Sequence, residues 1–414
     1  MGSKPSKSKE SKPTLWVVSE LYYPEETSTG YYLTRIAEGL TDDFEVKVLC
    51  GQPNYSSRGT KAAKHEFRNG VEIFRAAGTT LNKNVILFKL INMLTLSMSI
   101  FFKGLFRFRA GDRILVVTTP PSLPFVVAVA ALFRGAAYTL LIHDNYPEIM
   151  FAVGKMREDS AVATVLNHCN RWLYKHAAKL IGVGRDMKTL LLSKISNLDV
   201  PIAVIQNWAE LETVRPEPRN SNQLLAELGL LDKFVFLYAG NMGYPNDVET
   251  IIECASRLKD RSEFAFIFLG TGVKEKWIKA AVADNDLKNV VVLSPKPRAE
   301  QIVFLNACDV ALVSLVGKML GVSMPSRTYN ILAAGKPMLA LTDPKSELAM
   351  VIDEDQTGWH CEPGNPDRLT ALINEIYDSR SRLKAYGHRA RASALGKYSL
   401  DAALAKYRRE MAAS

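Results

Sequence analysis

The chain has 414 residues, of which 47% are hydrophobic and 23% charged, and its formal net charge is +9. This length suggests two or three domains, and the composition excludes disorder, collagen and coiled coil as descriptions of the whole chain. The five cysteines show no CxxC spacing, which argues against a disulfide scaffold or a zinc site and favours a reducing compartment. No apolar N-terminal segment precedes a cleavage site, so we expect a cytoplasmic protein, soluble or at a membrane surface.

A basic segment opens the chain. Residues 1–13 contain four lysines and one acid in a Ser/Pro-rich stretch, which predicts a flexible basic tail. Met1, Gly2 and Ser6 also fit the pattern of an N-myristoylation signal. An ordinary tail is the simpler interpretation.

A second basic segment, residues 84–108, surrounds an apolar run with cations and contains no acid. Its uncharged part, residues 90–102, is too short to span a membrane. The pattern therefore predicts either a helix lying in a membrane interface or a core helix with a narrow polar stripe. No nucleic-acid-binding motif accompanies the charge, so nucleic acid is not an expected partner.

Short apolar strands alternate with helices along most of the chain. The strands of the first half are predicted at residues 15–19, 45–50, 113–117, 138–143, 179–183 and 202–205. Those of the second half are predicted at 234–239, 264–269, 290–293, 310–314 and 337–341. The alternation predicts an α/β fold of two doubly wound parallel-sheet domains facing across a cleft, residues 14–208 and 209–395.

Glycine-rich turns follow several of the predicted strands. Gly30 lies in the first, Gly240-Asn241-Met-Gly243 forms the second, and Gly270 begins the third. Backbone N–H groups at such turns bind phosphate. One turn alone is ordinary turn chemistry, but three of them in both halves favour a phosphate-containing ligand in the cleft. The Gly270 turn lacks the third glycine of a dinucleotide fingerprint, so nicotinamide binding is not favoured.

Proton-active residues follow the predicted strand at 138–143. His143, Asp144 and Glu148 lie where α/β active sites are found, at the carboxyl end of a strand. The alternative is that Asp144 and Glu148 only cap the next helix.

A small amide-rich turn precedes the helix that ends near Gly335. Together with Arg327 it suits bidentate binding of a diphosphate, whereas a purely structural loop is the alternative. Its candidate ligand-binding residues are Ser323, Met324, Pro325, Ser326 and Asn330. Two D-x-D strings, at 284–286 and 353–355, are interpreted as solvated turns, and no metal site is expected.

In their order and spacing these motifs resemble the retaining glycosyltransferases of family 4, which have the GT-B fold, and above all their bacterial surface-polysaccharide branch. The resemblance extends from about residue 15 to the C-terminus and includes residues 22–25, 51–55, 144–148, 206–208, 240–243, 325–337 and 357–364. It implies a nucleoside-diphosphate sugar, foremost a UDP-sugar, bound mainly by the second domain. It also implies an acceptor bound by the first domain, no metal or other cofactor, and a closing helix at 396–414 that returns to the first domain.

The sequence departs from this family at two places. The family often has two glutamates eight residues apart where this chain has Val322 and Asn330, and an arginine where it has Asn241. Because a departing diphosphate needs electrostatic stabilisation, another cation must provide it. Arg327 is the first candidate, followed by Lys296 and Arg298. Asn330 retains the ability to hydrogen-bond a ribose hydroxyl.

The sequence thus predicts a retaining glycosyltransferase that moves a sugar from a nucleoside diphosphate to an acceptor hydroxyl in surface polysaccharide or glycolipid synthesis. The expected acceptor is a lipid-linked saccharide or a polyprenyl phosphate at the cytoplasmic membrane face. The predicted catalytic residues are His143, Asp144, Glu148 and Arg327. The predicted donor-binding residues are Gly30, Gly240, Asn241, Gly243, Gly270, Lys296, Arg298, Ser323, Met324, Pro325, Ser326 and Asn330. The alternative is a nucleotide-sugar-binding protein or an epimerase on the same fold.

Overall fold

The computed structural model describes residues 12–53, 61–81 and 85–413. The predicted basic tail, including Gly2, lies almost wholly outside the described residues. Two parallel sheets, each covered by helices on both faces, organise the described part of the chain. This confirms the predicted α/β architecture.

The first sheet has eight strands in the order β3-β4-β2-β1-β5-β6-β7-β8, and every neighbouring pair is parallel except β3 and β4. Its central strands are continuous apolar runs because both faces of the sheet are covered. The strands are β1 Thr14–Ser19, β2 Glu45–Cys50, β3 His65–Arg68, β4 Val71–Arg75, β5 Arg113–Val117, β6 Ala137–Ile142, β7 Lys179–Gly182 and β8 Ile202–Val204.

The helices of this domain belong to two layers. Because parallel crossovers are right-handed and β1 lies between β2 and β5, α1 covers one face, whereas α2, α3 and α5 pack side by side on the other. The helices are α1 Ser28–Gly39, α2 Ile86–Arg107, α3 Leu123–Arg134, α4 Glu148–Ala152, α5 Ala161–Lys175 and α6 Arg185–Lys194.

The second sheet has six parallel strands in the order β11-β10-β9-β12-β13-β14. They are β9 Phe234–Ala239, β10 Phe264–Leu269, β11 Val290–Leu293, β12 Val310–Ser314, β13 Met338–Leu341 and β14 Gly358–Cys361. The remaining helices are α7 Gln223–Glu227, α8 Val248–Arg257, α9 Glu275–Asp284, α10 Gln301–Leu305, α11 Arg327–Ala333, α12 Glu347–Asp355, α13 Pro366–Asp378, α14 Leu383–Lys397 and α15 Leu400–Ala412.

Helix α15 packs against α1 of the first domain, although it follows the second domain in sequence. Tyr407 and Met411 are buried in the core there. The ammonium of Lys179, at the start of β7, lies 3.0 Å from a carboxylate oxygen of Glu410. The last helix is therefore a structural part of the first domain.

Helix α2 is longer than the uncharged run at residues 90–102. It is 22 residues long, and among the described residues it is the one helix long and apolar enough to cross a membrane by length and composition. The expectation that this segment is too short to span a membrane is therefore wrong as far as length and composition are concerned. Leu96 and Ile100 face the core, whereas Leu94 and Phe102 on the opposite side are 55% and 52% exposed. The helix is consequently fixed to the sheet along one side and presents an apolar stripe on the other.

Some elements were not predicted. The hairpin of β3 and β4 and the edge strand β14 were missed, and the D-x-D string at Asp353 and Asp355 lies in the last turn of α12 rather than in a turn between elements. Asp355 accepts a hydrogen bond from Ser393 of α14 at 2.5 Å, so this carboxylate joins two helices.

Candidate active site

The carboxyl edges of the two sheets meet through the loops that follow β6 and β12. Asp144 and Ser323 form an antiparallel β-bridge. The backbone N–H of Asn145 donates to the carbonyl of Val322 at 2.8 Å, and its side-chain amide donates to the carbonyl of Gly321, also at 2.8 Å. Two predicted motifs far apart in sequence therefore lie in contact. The sequence analysis did not single out Asn145, although it lies inside the predicted motif and is 1% exposed.

A second contact closes the cleft beside the first helix. The hydroxyls of Ser326 and Ser28 are 3.1 Å apart, which places the loop before α11 against the N-terminus of α1. Gly30 lies in the first turn of α1, and its N–H donates to the hydroxyl of the N-cap residue Thr27 at 3.3 Å. Within the loop, Met324 is buried in the hydrophobic core, so its side chain supports the turn from behind.

Asp144 and His143 are adjacent groups whose pKa values burial moves in opposite directions. Burial raises the pKa of Asp144 to about 6 and lowers that of His143 to about 4. The imidazole is thus neutral near pH 7, and its buried Nε2 has no hydrogen-bond partner among the residues that the structure describes. A carboxylate with a raised pKa beside a neutral imidazole can orient a hydroxyl and exchange a proton with it.

Glu148 has a different environment from the other two predicted proton-active residues. It lies at the start of α4 and pairs with Lys194 of α6, the ammonium and carboxylate being 2.7 Å apart. The same ammonium donates to the carbonyl of Tyr146 at 2.9 Å. The structure therefore ties Glu148 to the neighbouring helix, whereas Asp144 faces the loop of the second domain.

Arg327 lies directly at the glycine turn after β9. Its guanidinium donates to the carbonyl of Ala239 at 3.2 Å and to the side-chain oxygen of Asn246 at 2.7 Å, and it lies 4.6 Å from the ring centre of Tyr238. All of these partners are neutral, and no carboxylate in the described part of the chain pairs with this cation. Its positive charge therefore remains available to an anionic ligand.

The glycine turns after β9 and β10 leave no room for larger side chains. Gly240 has a φ of +151°, and a Cβ there would collide with the Arg327 guanidinium. A Cβ on Gly270 would overlap the carbonyl of Gly240. The carbonyl of Asn241 accepts hydrogen bonds from the Tyr238 hydroxyl and the Asn246 amide, at 2.7 and 3.0 Å. The N–H groups of Gly240 and Met242 donate to the carbonyls of Leu269 and Thr271, each at 2.9 Å, so hydrogen bonds to the neighbouring turn hold this turn against Arg327.

The other two candidate cations each have an acidic partner. Lys296 pairs with Glu300 at 2.6 Å. Arg298 pairs with Glu210 at 2.6 Å, and its guanidinium stacks 3.6 Å from the ring centre of Tyr31. Of the three candidates for stabilising a diphosphate, only Arg327 lacks an opposing charge among the described residues.

Glu210 is a site residue that the sequence analysis missed. Its carboxylate accepts from the Asn330 amide at 2.7 Å, and its backbone N–H donates to the Asn330 side-chain oxygen at 2.9 Å. The Asn330 amide also donates to Gln301 at 2.8 Å. Glu210 thus connects the interdomain segment to both Arg298 and Asn330. Its position just after the predicted motif at residues 206–208 is the feature of the sequence that could have identified it as a site residue.

Two parallel-sheet α/β domains that face each other across a cleft constitute the GT-B fold. Glycine turns and a cation lie where the carboxyl edges of the two sheets meet. A family model described as "Glycosyl transferases group 1" matches residues 222–393. The chain is 30% identical over 369 residues to the inferred glycosyltransferase WbjE of Pseudomonas aeruginosa, covering 87% of this chain and 89% of that protein. The chain belongs to the group 1 glycosyltransferases, as the sequence resemblance predicted.

Two further proteins are similar. The inferred colanic acid biosynthesis glycosyl transferase WcaI of Escherichia coli K12 is 24% identical over 86% of this chain and 89% of its own length. The crystal structure of Anabaena HepE in complex with UDP-glucose superposes with a TM-score of 0.71 at 15% identity, covering 97% of this chain and all of that one. The structural likeness establishes the fold, and the family membership establishes glycosyl transfer as the activity.

Proposed function

We propose that this glycosyltransferase is a retaining enzyme that moves a sugar from a nucleoside-diphosphate sugar to a hydroxyl of a lipid-linked acceptor in surface polysaccharide synthesis. The observation that carries the proposal is Arg327, a cation without a carboxylate partner among the described residues, lying on the Gly240 turn. WcaI, named for colanic acid biosynthesis, supports the polysaccharide context. HepE, solved with UDP-glucose, supports a UDP-sugar as donor.

The donor diphosphate is proposed to lie beside Arg327 at the turn formed by residues 240–243. As the glycosidic bond breaks, negative charge develops on the departing diphosphate, and a fixed guanidinium stabilises it more than it stabilises the bound donor. Arg327 takes precedence over Lys296 and Arg298 in this role because Glu300 and Glu210 neutralise those two. Ser323 and Ser326, across the cleft from Ser28, supply further hydrogen-bond donors.

The acceptor is proposed to approach from the first domain, where His143 and Asp144 orient its hydroxyl. Nε2 of the neutral His143 is buried and has no partner in the described part of the chain. Asp144 forms its β-bridge to Ser323 in residues 315–326, which we call the donor loop. Attack from the side on which the diphosphate departs retains the anomeric configuration. The departing diphosphate oxygen then takes the hydroxyl proton.

A membrane surface is the proposed location of the reaction. Helix α2 presents Leu90, Leu94, Met98 and Phe102 at a spacing of four residues, each 46–55% exposed. Lys89 and Lys103 lie on the same helix, which contains no acid. An apolar stripe with cations suits the interface of an anionic membrane at the cytoplasmic face.

The donor proposal is tested by melting the purified protein with a panel of nucleoside diphosphates. A ligand at 100 times its Kd adds about 2.7 kcal/mol of stability to the protein that binds it. We expect stabilisation by UDP, reduced in Arg327→Ala and retained in Arg368→Ala, a matched change at an exposed arginine of α13. Turnover in Arg327→Ala should fall about a hundredfold, the usual cost of one lost oxyanion donor. Undiminished turnover in that variant would contradict the assigned role, and UDP binding without any transfer would favour a nucleotide-sugar-binding protein.

A further inference from the structure

An apolar cavity of about 270 Å³ lies at the carboxyl ends of β5 and β6, between α2, the start of α3, and α5. Met93, Phe125, Leu166 and Leu173 supply much of its apolar lining, and Asp144 lines it as well. Asp144 is also the residue that forms the β-bridge to Ser323 of the second domain. The cavity therefore adjoins the donor loop through a single residue.

Exposed apolar side chains flank this cavity on two helices. Met93 and Leu166 are themselves half-buried. On α2 the neighbouring Leu94 is 55% exposed, and on α5 the neighbouring Val162 and Val165 are 57% and 60% exposed. An apolar ligand at this surface can reach the cavity without crossing the interdomain cleft.

A second cavity, of about 280 Å³, adjoins the first and shares Asn170 and Tyr174 with it. It is lined by two basic side chains, Arg171 and Lys194, by His168, and by one carboxylate, Glu148. Because Glu148 pairs with Lys194, Arg171 carries the net positive charge of the lining. An apolar cavity next to a basic one fits a ligand with an apolar chain and an anionic group.

We propose that these two cavities form the acceptor site and that they hold a phosphorylated lipid. The apolar chain enters between α2 and α5 and occupies the first cavity, and the phosphate lies near Arg171 in the second. Asp144, which lines the apolar cavity and bridges to Ser323, places this site beside the donor loop. This proposal rests on the proposed transferase function and adds to it the route and the chemistry by which the acceptor is recognised.

Binding of farnesyl monophosphate and of farnesol to the full chain tests the two cavities separately. Leu166→Trp, which fills the apolar cavity, should weaken binding of both probes at least tenfold. Arg171→Glu, which reverses the charge of the basic cavity, should weaken farnesyl monophosphate tenfold and leave farnesol within twofold. Leu192→Trp on exposed α6 and Arg157→Glu at an exposed loop are the matched controls, and both should bind like the wild type.

Wild-type affinity in both cavity variants, or equal losses in the controls, would overturn the proposal. Circular dichroism checks the fold, and Met93→Trp replaces Leu166→Trp if that variant does not fold. Thermal stabilisation by UDP, measured on the same samples, separates the two proposals. UDP binding without farnesyl monophosphate binding refutes the acceptor site alone. Farnesyl monophosphate binding without UDP binding instead refutes the donor site and leaves the cavities as a lipid-phosphate site.

Discussion

The adjacent residues His143 and Asp144 allow a sharp test of whether the cleft is closed in solution as described. Burial raises the pKa of Asp144 from 3.8 to about 6 and lowers that of His143 from 6.5 to about 4. Each shift corresponds to about 3 kcal/mol of stability, at 1.36 kcal/mol per pKa unit. Charge on either buried group therefore destabilises the fold, but the two groups are charged at opposite ends of the pH range.

The signs follow from linkage between protonation and folding. The contribution of Asp144, whose pKa is raised, is fully present below about pH 4 and is lost as the pH rises through about 6. The contribution of His143, whose pKa is lowered, is present above about pH 6.5 and is lost as the pH falls through about 4. In the wild type the two effects largely cancel between these limits.

Single substitutions remove that cancellation. Asp144→Asn should be about 3 kcal/mol more stable than the wild type at pH 7, and this gain should shrink towards pH 4. His143→Gln should show the reverse, with a gain of about 3 kcal/mol near pH 4 that disappears by pH 7. Urea denaturation at half-unit steps from pH 4 to 7 measures both differences. Asp144→Asn should also lose transferase activity despite its greater stability.

Asp284→Asn, at an exposed position at the end of α9, is the matched control and should follow the wild type at every pH. Parallel pH profiles in the two variants would refute the reasoning. So would an Asp144→Asn protein that is less stable than the wild type at pH 7. Either result would mean that the loop after β6 is open to water rather than packed against Ser323.

Three further predictions concern other parts of the site. Gly240→Ala should weaken UDP binding at least tenfold because its methyl group displaces Arg327. Gly317→Ala, where the added carbon meets no atom of the described residues within 4 Å, should bind UDP normally, and equal affinities of the two variants would exclude the packing argument. Glu210→Gln should lower the free energy of unfolding by roughly 3 kcal/mol, because Arg298 loses its carboxylate partner. Urea denaturation measures this loss, and a midpoint equal to that of the wild type would show that the ion pair does not stabilise the fold. Leu94→Glu places a charge in the exposed apolar stripe of α2 and should reduce co-sedimentation with anionic vesicles. Leu395→Glu, at an exposed position of α14, should co-sediment like the wild type. Unchanged co-sedimentation of Leu94→Glu would contradict the proposed contact between α2 and the membrane.

The buried strands were the most predictable part of the fold. The strands Phe234–Ala239 and Phe264–Leu269 have the predicted bounds because continuous apolar runs between turns have few alternatives to a buried parallel strand. The edge elements were missed for the opposite reason. His65–Arg68 and Gly358–Cys361 are short and polar or begin with glycine, and they are strands because neighbouring strands offer hydrogen-bond partners.

The sequence could predict which kinds of side chain lie at the site, but not which residues they pair with. The sequence could nominate Arg327, Lys296 and Arg298 as cations near a phosphate, because each lies in or directly after a predicted loop at the expected edge. It could not show that Glu300 and Glu210 neutralise two of them, because a side-chain ion pair between separate elements leaves no periodic pattern. The same holds for Glu148, whose pairing with Lys194 depends on how α4 and α6 pack.

The return of α15 to the first domain affects how the chain folds during synthesis. The segment that covers α1 is translated only after the whole second domain has been translated. Until then, the surface that receives Tyr407 and Met411 is exposed to water. The first domain to emerge is therefore the last to be completed, and a nascent chain or a truncated product lacking α15 would expose an apolar surface to chaperones and proteases.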